Sequence, residues 1–320
     1  MGTAVVTKKA KQKEGRRVAG DKHRAAANAP VSGGQTKPKT SHWLFRLGAL
    51  PFLLVHIGAL GAIFTGVTWP AAILCVSLFA IRMFAVTGGY HRYFSHRTYR
   101  TSRAFQFVLA CLAQSTAQKG CLWWAAHHRH HHAESDTEHD LHSPHQSGFW
   151  YAHVGWLFDG NDKTDYSQVK DLAKYPELVW LNKYHLVPPI AMGFLSWLFL
   201  GWSGLCVGFL LSTVLTWHAT FTINSLTHMF GKRRFQTTDD SRNSLPLALL
   251  TFGEGWHNNH HHYQACARQG FYWYEIDITY YILRGLNAVG LIWNLRQPPE
   301  RVLEEGRRLD RERKEKRAVA

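Results

Sequence analysis

The chain has 320 residues, a formal net charge of +15 and 46 % hydrophobic residues, with 13 tryptophans. Its five cysteines, Cys75, Cys111, Cys121, Cys206 and Cys266, show no CxxC spacing, which excludes a disulfide framework and an iron–sulfur cluster. The basic excess points to nucleic acid or to anionic lipid, and the long apolar runs select lipid over nucleic acid.

Residues 1–40 are rich in Lys, Arg, Ala, Gly and Gln and nearly free of large apolar side chains. Such a segment cannot bury enough surface to offset its ordering entropy, so a disordered basic arm is expected. It has neither the apolar core nor the cleavage site of a secretory signal. Apolar runs at 50–68 and 69–87 follow, with Pro70 placed where a second helix begins. A membrane helix needs about 20 mainly apolar residues, so the two runs read as a transmembrane hairpin. The positive-inside rule places the basic arm, and hence both ends of that hairpin, on the cytoplasmic side. His91 and His96 come just after the second span.

Segment 104–118 is apolar but interrupted by Gln106, Gln114 and Ser115, which suits an interfacial or re-entrant helix. A polar stretch carrying HHRHHH at 127–132 runs on to residue 184. Runs 186–200 and 205–223 make a second hairpin that turns at 201–204, with His228 just past its end. GEGWHNNHHH occupies 253–262. Segment 271–291, broken by Glu275, Asp277 and Arg284, reads as a helix lying on the membrane or on the cap. Residues 300–320 mix both charges and read as a solvated helix or frayed tail. The expected fold is an all-α membrane protein: four transmembrane helices in two hairpins, with a cytosolic helical cap, over 41–299. Every histidine cluster then falls on the cytoplasmic side.

Imidazole is a common metal ligand and suits iron, zinc, copper and nickel. His257, His260 and His261 stand in HxxHH spacing and share one helical face. The second cluster offers two such registers, His127/His130/His131 and His128/His131/His132, and spacing does not choose between them. His91 and His96 are five apart, which no straight α-helix brings to one face, so they are expected to straddle a helix end. Together with His228 the clusters exceed what one metal uses, so a two-metal centre fits better. The isolated His56, His153, His185 and His218 read as core or interface residues.

The motifs GGYHRYFSHRTY, WWAAHHRHHHAESDTEHDLHSP, HVGW, NSLTHMFG and GEGWHNNHHHY make the chain resemble the membrane fatty-acid desaturases of the stearoyl-CoA Δ9 type. The resemblance covers residues 50–299. Its HRxHH pattern selects His128, His131 and His132. It implies a di-iron centre ligated by His91, His96, His128, His131, His132, His228, His257, His260 and His261, with Asn224 holding a water near one iron. It also implies a bent acyl tunnel with Gln118, Trp124 and Thr220 near the bend. The implied activity is O2-dependent insertion of a cis double bond, Δ9 in type, into a saturated acyl chain.

Members acting on acyl-CoA carry basic residues after HVGW; here that place reads LFDGNDKTD, and Lys119 and Ala126 replace polar positions near the headgroup. Acyl-CoA is the expected carrier, with acyl carrier protein and phospholipid as alternatives. No HPGG signature of a fused cytochrome b5 is present. Electrons are therefore expected from a separate cytochrome b5, ferredoxin or rubredoxin with its reductase. The expected location is a bacterial inner membrane, or the endoplasmic reticulum in a eukaryote. The rivals are a hydroxylase or ketolase sharing the histidine boxes, and a His-rich membrane metal binder or transporter. A transporter is expected to place its polar ligands at mid-membrane depth, not at the ends of spans.

Overall fold

The computed structural model of the chain describes residues 50–160 and 162–319, so the basic arm expected over 1–40 lies outside the described residues. The first apolar run forms α1 (Leu50–Leu60) and α2 (Ala62–Thr65). It is shorter than a usual membrane crossing. Thr68 then caps α3 (Trp69–Phe84) by accepting from the Ala71 amide, and Pro70 sits in the first turn, where its missing N–H costs nothing. The helix does not stop at residue 87. It continues as a π-helix, Ala85–Ser95, all of whose residues are buried, giving a 27-residue run from Trp69 to Ser95.

Strand β1 (Arg100–Thr101) leads into α4 (Arg103–Gln114), capped by Ser102. One face of α4 enters the core through Leu109, Ala110 and Ala113, while Val108 stays exposed. The two glutamines that interrupt its apolar pattern are buried hydrogen-bonding groups. Gln106 accepts from the Tyr93 hydroxyl at 2.8 Å, and Gln114 donates to the Leu181 carbonyl at 3.1 Å. Helix α5 (Cys121–Glu134) starts at Gly120, which has no side chain to cap with. Asn182 caps it instead, accepting from the amides of Leu122 and Trp123.

Short helices α6 (Pro144–Ser147), α7 (Phe149–His153), α8 (Lys170–Ala173) and α9 (Pro176–Lys183) lead to α10 (Val187–Ser203). From Val187 to His228 the chain is one 42-residue apolar helical run, broken at Gly201. Gly201 has φ 59°, a left-handed conformation that glycine adopts without steric cost. The chain reverses there, so that a Cβ at Gly193 would lie 3.1 Å from the Phe209 ring. A π-turn (Gly204–Leu211), α11 (Ser212–Ser225) and a 3-10 turn ending in His228 complete the run. Buried Arg82 ties α3 to this run, donating to the Thr213 hydroxyl at 2.7 Å.

Helices α12 (Leu245–Leu250), α13 (His257–His262) and α14 (Ile278–Ala288), strand β2 (Ile292–Trp293) and α15 (Glu300–Val319) finish the fold. Strand β2 pairs antiparallel with β1, the one small sheet among the described residues of an otherwise helical chain. Two helical runs, Trp69–Ser95 and Val187–His228, are long and apolar enough to cross a membrane. Their outer faces expose Trp69, Ile73, Val76, Ile190, Phe194 and Phe199, large apolar side chains suited to lipid.

Candidate metal centre

The nine box histidines converge from four places. His91 lies in the π-helix and His96 caps it. His128, His131 and His132 stand on α5, His228 ends the turn after α11, and His257, His260 and His261 stand on α13. They fall into two sets, His91/His96/His128/His132/His260 and His131/His228/His257/His261, within each of which the ligand nitrogens lie within 4.8 Å of one another. The five-residue spacing of the first box is resolved by π-helical winding. The His96 amide donates to the His91 carbonyl at 3.2 Å, an i to i+5 bond.

The inward nitrogens are Nε2. His91 faces His260 at 3.0 Å, His96 faces His128 at 2.9 Å, His132 faces His260 at 2.9 Å and His228 faces His257 at 3.0 Å. Two imidazole nitrogens at right angles, each about 2.1 Å from one ion, stand about 3.0 Å apart. The spacing is therefore that of adjacent corners of a coordination polyhedron.

Carboxylates hold the outward nitrogens. His228 Nδ1 donates to Asp136 at 2.8 Å, His131 Nδ1 to Asp140 at 3.0 Å and His261 Nδ1 to Asp239 at 2.7 Å. His91 Nδ1 pairs with Glu254. Each bond fixes the proton on Nδ1 and turns a bare Nε2 lone pair inward. Asp136 reaches its histidine from a left-handed backbone, φ 60°, and also accepts from the Asp240 amide. Burial, then the neighbouring imidazoles, push His96, His128, His132, His257 and His260 well below the ordinary histidine value. Burial also pushes His261 down, to about 4, against the pull of Asp239. For His131 burial is outweighed by Asp140, and its value is raised. Burial works to raise Asp136, Asp140 and Asp239, but their histidines and nearby amides hold all three carboxyls below the ordinary range.

A metal fits these residues. The Nε2 of His261 is buried without a hydrogen-bond partner among the described residues, and the donor set is imidazole throughout, which suits iron among other divalent metals. Several of the histidines left outside the sets have other partners. His127 stacks on Trp123 with centroids 3.9 Å apart, His130 faces the His139 carbonyl, and His262 stacks on Phe235. His56, His153 and His218 form a hydrogen-bonded row that ends on Ser225.

Asn224 stands on α11 four residues before His228, which ends the 3-10 turn that follows. Gln118 donates to the Thr220 hydroxyl at 3.2 Å. Trp124 stacks on the His128 ring at 4.9 Å and on Tyr90 at 5.3 Å. Gln118 and Trp124 line a cavity of about 550 Å³ whose other walls include Phe52, Trp156, Leu205 and Phe221. Ala117 and Lys119 both have left-handed backbones, φ 56° and 67°, and the Tyr90 hydroxyl donates to the Lys119 carbonyl at 2.7 Å. This strained loop holds Gln118 at the cavity wall.

A sequence profile described as fatty acid desaturase matches residues 67–291. The chain belongs to the fatty acid desaturase family. It is 37 % identical over 265 residues to the sn-1 stearoyl-lipid 9-desaturase of Anabaena variabilis, covering 82 % of this chain and 96 % of that protein. It is 35 % identical over 256 residues to Delta-9 acyl-lipid desaturase 1 of Arabidopsis thaliana, covering 79 % and 83 %. To an acyl-CoA 5-desaturase of Anemone leveillei it is 34 % identical over 251 residues, covering 77 % and 78 %. Membership makes this desaturase an oxidoreductase of lipid metabolism. The residues that sequence reasoning missed are the orienting acids Asp140 and Asp239, together with the roles of Asp136 and Glu254. For Asp136, Asp140 and Glu254 the signal was an acid within or just beyond a histidine box, whereas Asp239 gave none.

Proposed function

We propose that this desaturase inserts a cis double bond of the Δ9 type into a saturated fatty acyl chain. The balance is acyl chain, O2, two electrons and two protons to a cis-monoene and two waters. One observation carries the reading: Trp124 both lines the apolar cavity and stacks on His128, so a chain lying in the cavity runs past the imidazole sets. Two irons, one held by each histidine set, would supply the oxygen activation that no side chain can. Asn224, four residues before His228, would hold a water near one iron. The apolar walls exclude bulk water and position a chain that has no polar handle. Gln118, held by its bond to Thr220, and Trp124 shape the wall nearest the histidines and so bear on where the double bond falls.

For the carrier, the cavity mouth favours a membrane lipid over the acyl-CoA expected from the sequence. Among the described residues, Lys119 is the one Lys or Arg lining the cavity, it is paired with Asp162 at 2.5 Å, and no basic cluster for the CoA phosphates lines the cavity beside it. Two relatives are named for acyl-lipid substrates, in agreement with this reading. The exposed apolar faces support a multi-pass protein in the membrane. The reversal at Gly201 supports two crossings between Val187 and His228, with the histidine sets at the cytoplasmic ends.

The test is a lipid profile by mass spectrometry from a host poor in unsaturated fatty acids, with iron and donor supplied. Wild type should add cis-monoenes and His260→Ala should not. Identical profiles would overturn the reading, and hydroxylated chains would favour the hydroxylase rival. Purified protein should then convert a stearoyl glycerolipid faster than stearoyl-CoA or stearoyl-acyl carrier protein.

A further inference from the structure

The balance above leaves two electrons unsupplied. Reducing O2 to two waters takes four, and the acyl chain gives two. They must arrive from outside, one at a time, through the protein surface. We infer that they arrive at a basic hollow on the far side of the third histidine box, and that its partner is an acidic one-electron carrier protein.

The hollow has a volume of about 730 Å³. Of its eleven lining residues eight are Lys or Arg and one, Asp310, is acidic. They come from two elements, the loop at 231–234 and the face of α15, with Tyr274 between. Arg307, Arg311 and Lys314 follow at i, i+4 and i+7, so they share one side of α15. Four of the cations, Lys232, Arg311, Lys314 and Arg317, make no ion pair with another described residue. Stacked like charges stabilise nothing within the chain. A solvated charged helix face would be the plain reading of α15 alone. Here the helix is docked by Val302, Leu303 and Leu309 onto Phe235 and Phe271, which brings its cations against those of the loop.

Charge is one argument for the partner, and connection to the centre is the other. Arg233 donates to the Asp239 carbonyl at 2.7 Å, and Asp239 accepts from His261 at 2.7 Å. Arg234 donates to Asn259 on α13 at 2.9 Å. The floor of the hollow thus stands one residue from an imidazole of the four-histidine set. A planar lipid surface does not fill a concave site of this depth, whereas a convex protein does. The hollow shares no lining residue with the acyl cavity, so a carrier docks while the chain is bound. Each docking oxidises the carrier by one electron and reduces the centre by one, and two dockings complete the balance.

The inference rests on the desaturase reading, and the test separates the two. Fluorescent plant-type ferredoxin and a soluble cytochrome b5 domain, both acidic, are titrated against the iron-loaded full chain in phosphatidylcholine nanodiscs at several salt concentrations. Wild type should bind at least one carrier, more weakly as salt rises. The combined variant Arg311→Glu, Lys314→Glu, Arg317→Glu should weaken that binding by about tenfold or more, with iron content and melting temperature unchanged. Should the triple variant misfold, Lys314→Gln and Arg317→Gln singly should weaken binding in the same direction. Single-turnover desaturation by protein reduced with dithionite in the absence of O2, desalted and then given O2 should be the same in wild type and variants. The inference is overturned if wild type binds neither carrier or if the variants bind as wild type does. It also falls if their effect is confined to nanodiscs containing phosphatidylglycerol, which would make the hollow a lipid contact. Absence of any unsaturated product in that single turnover would sink the desaturase reading and leave the binding result standing.

Discussion

Asp239 accepts a hydrogen bond from His261 Nδ1 at 2.7 Å, while the other nitrogen of that ring is buried with no partner among the described residues. The carboxylate settles which nitrogen carries the proton, so the bare one points at the four-histidine set. Asp239→Asn should weaken metal binding about 10–100-fold, because its amide can present an N–H to Nδ1 and reverse the tautomer. Metal titration of the chelator-stripped protein checks this, with unchanged affinity counting against an orienting role.

Arg92 is fully buried and bridges Glu254 at 3.0 Å and Asp277 at 2.9 Å. Gly253 makes room for this bridge at φ 122°, since a Cβ there would press on Asp277 and Arg92. Arg92→Leu should cost about 3–5 kcal/mol, the usual result of stranding buried carboxylates. It should also free Glu254 from its place beside His91. Thermal unfolding in detergent should show a large drop in midpoint; a small shift would mean that the carboxylates find other partners.

The metal-free chain should lose stability as pH falls. His261 sits at about 4 when folded and near 6.5 when unfolded. A folded value below the unfolded one means that the unfolded chain binds the extra proton. The contribution is therefore complete above pH 6.5 and is lost on the way down to about 4. For His261 alone it is on the order of 3 kcal/mol. His128, His132, His257 and His260 act in the same sense, and His131 opposes them. Melting temperatures of stripped protein between pH 8 and pH 4.5 should fall mainly below 6.5, and a flat profile would contradict the buried neutral cage.

Leu205 lines the apolar cavity proposed to hold the acyl chain, just past the reversal at Gly201. Leu205→Trp should shorten the space by about two methylenes. At roughly 0.8 kcal/mol for each buried methylene, the ratio of 18-carbon to 16-carbon products should drop about tenfold. Lipid profiling of the variant measures it directly, and an unchanged ratio would place the chain elsewhere.

Much of the centre is written locally in the chain. HxxHH in α13 and α5 puts three imidazoles on a face by helical repeat alone, and the apolar runs announce the two long helical stretches. The first box is different. HRYFSH fits no 3.6-residue period, and only the π-helix Ala85–Ser95 explains its spacing of five. Asp239 is hidden for another reason: in TTDDSRN it reads as a solvated turn, and only the fold carries it under His261. Likewise α15 has the composition of a loose tail. Its Val302, Gly306 and Leu309 acquire meaning once Phe235 and Phe271 are seen beneath them.

Helix α5 gives His128 and His132 to one imidazole set and His131 to the other. The two sets are therefore mounted on a single axle. A small roll of α5 about its own axis carries His131 toward its set as it draws the other two away. The sets cannot both relax by moving this helix, and any slack gained by one appears as tension in the other. Asn182 at the start of α5 and Asp140 on His131 act against that roll, which makes the orientation of one helix the common adjustment of the whole cage.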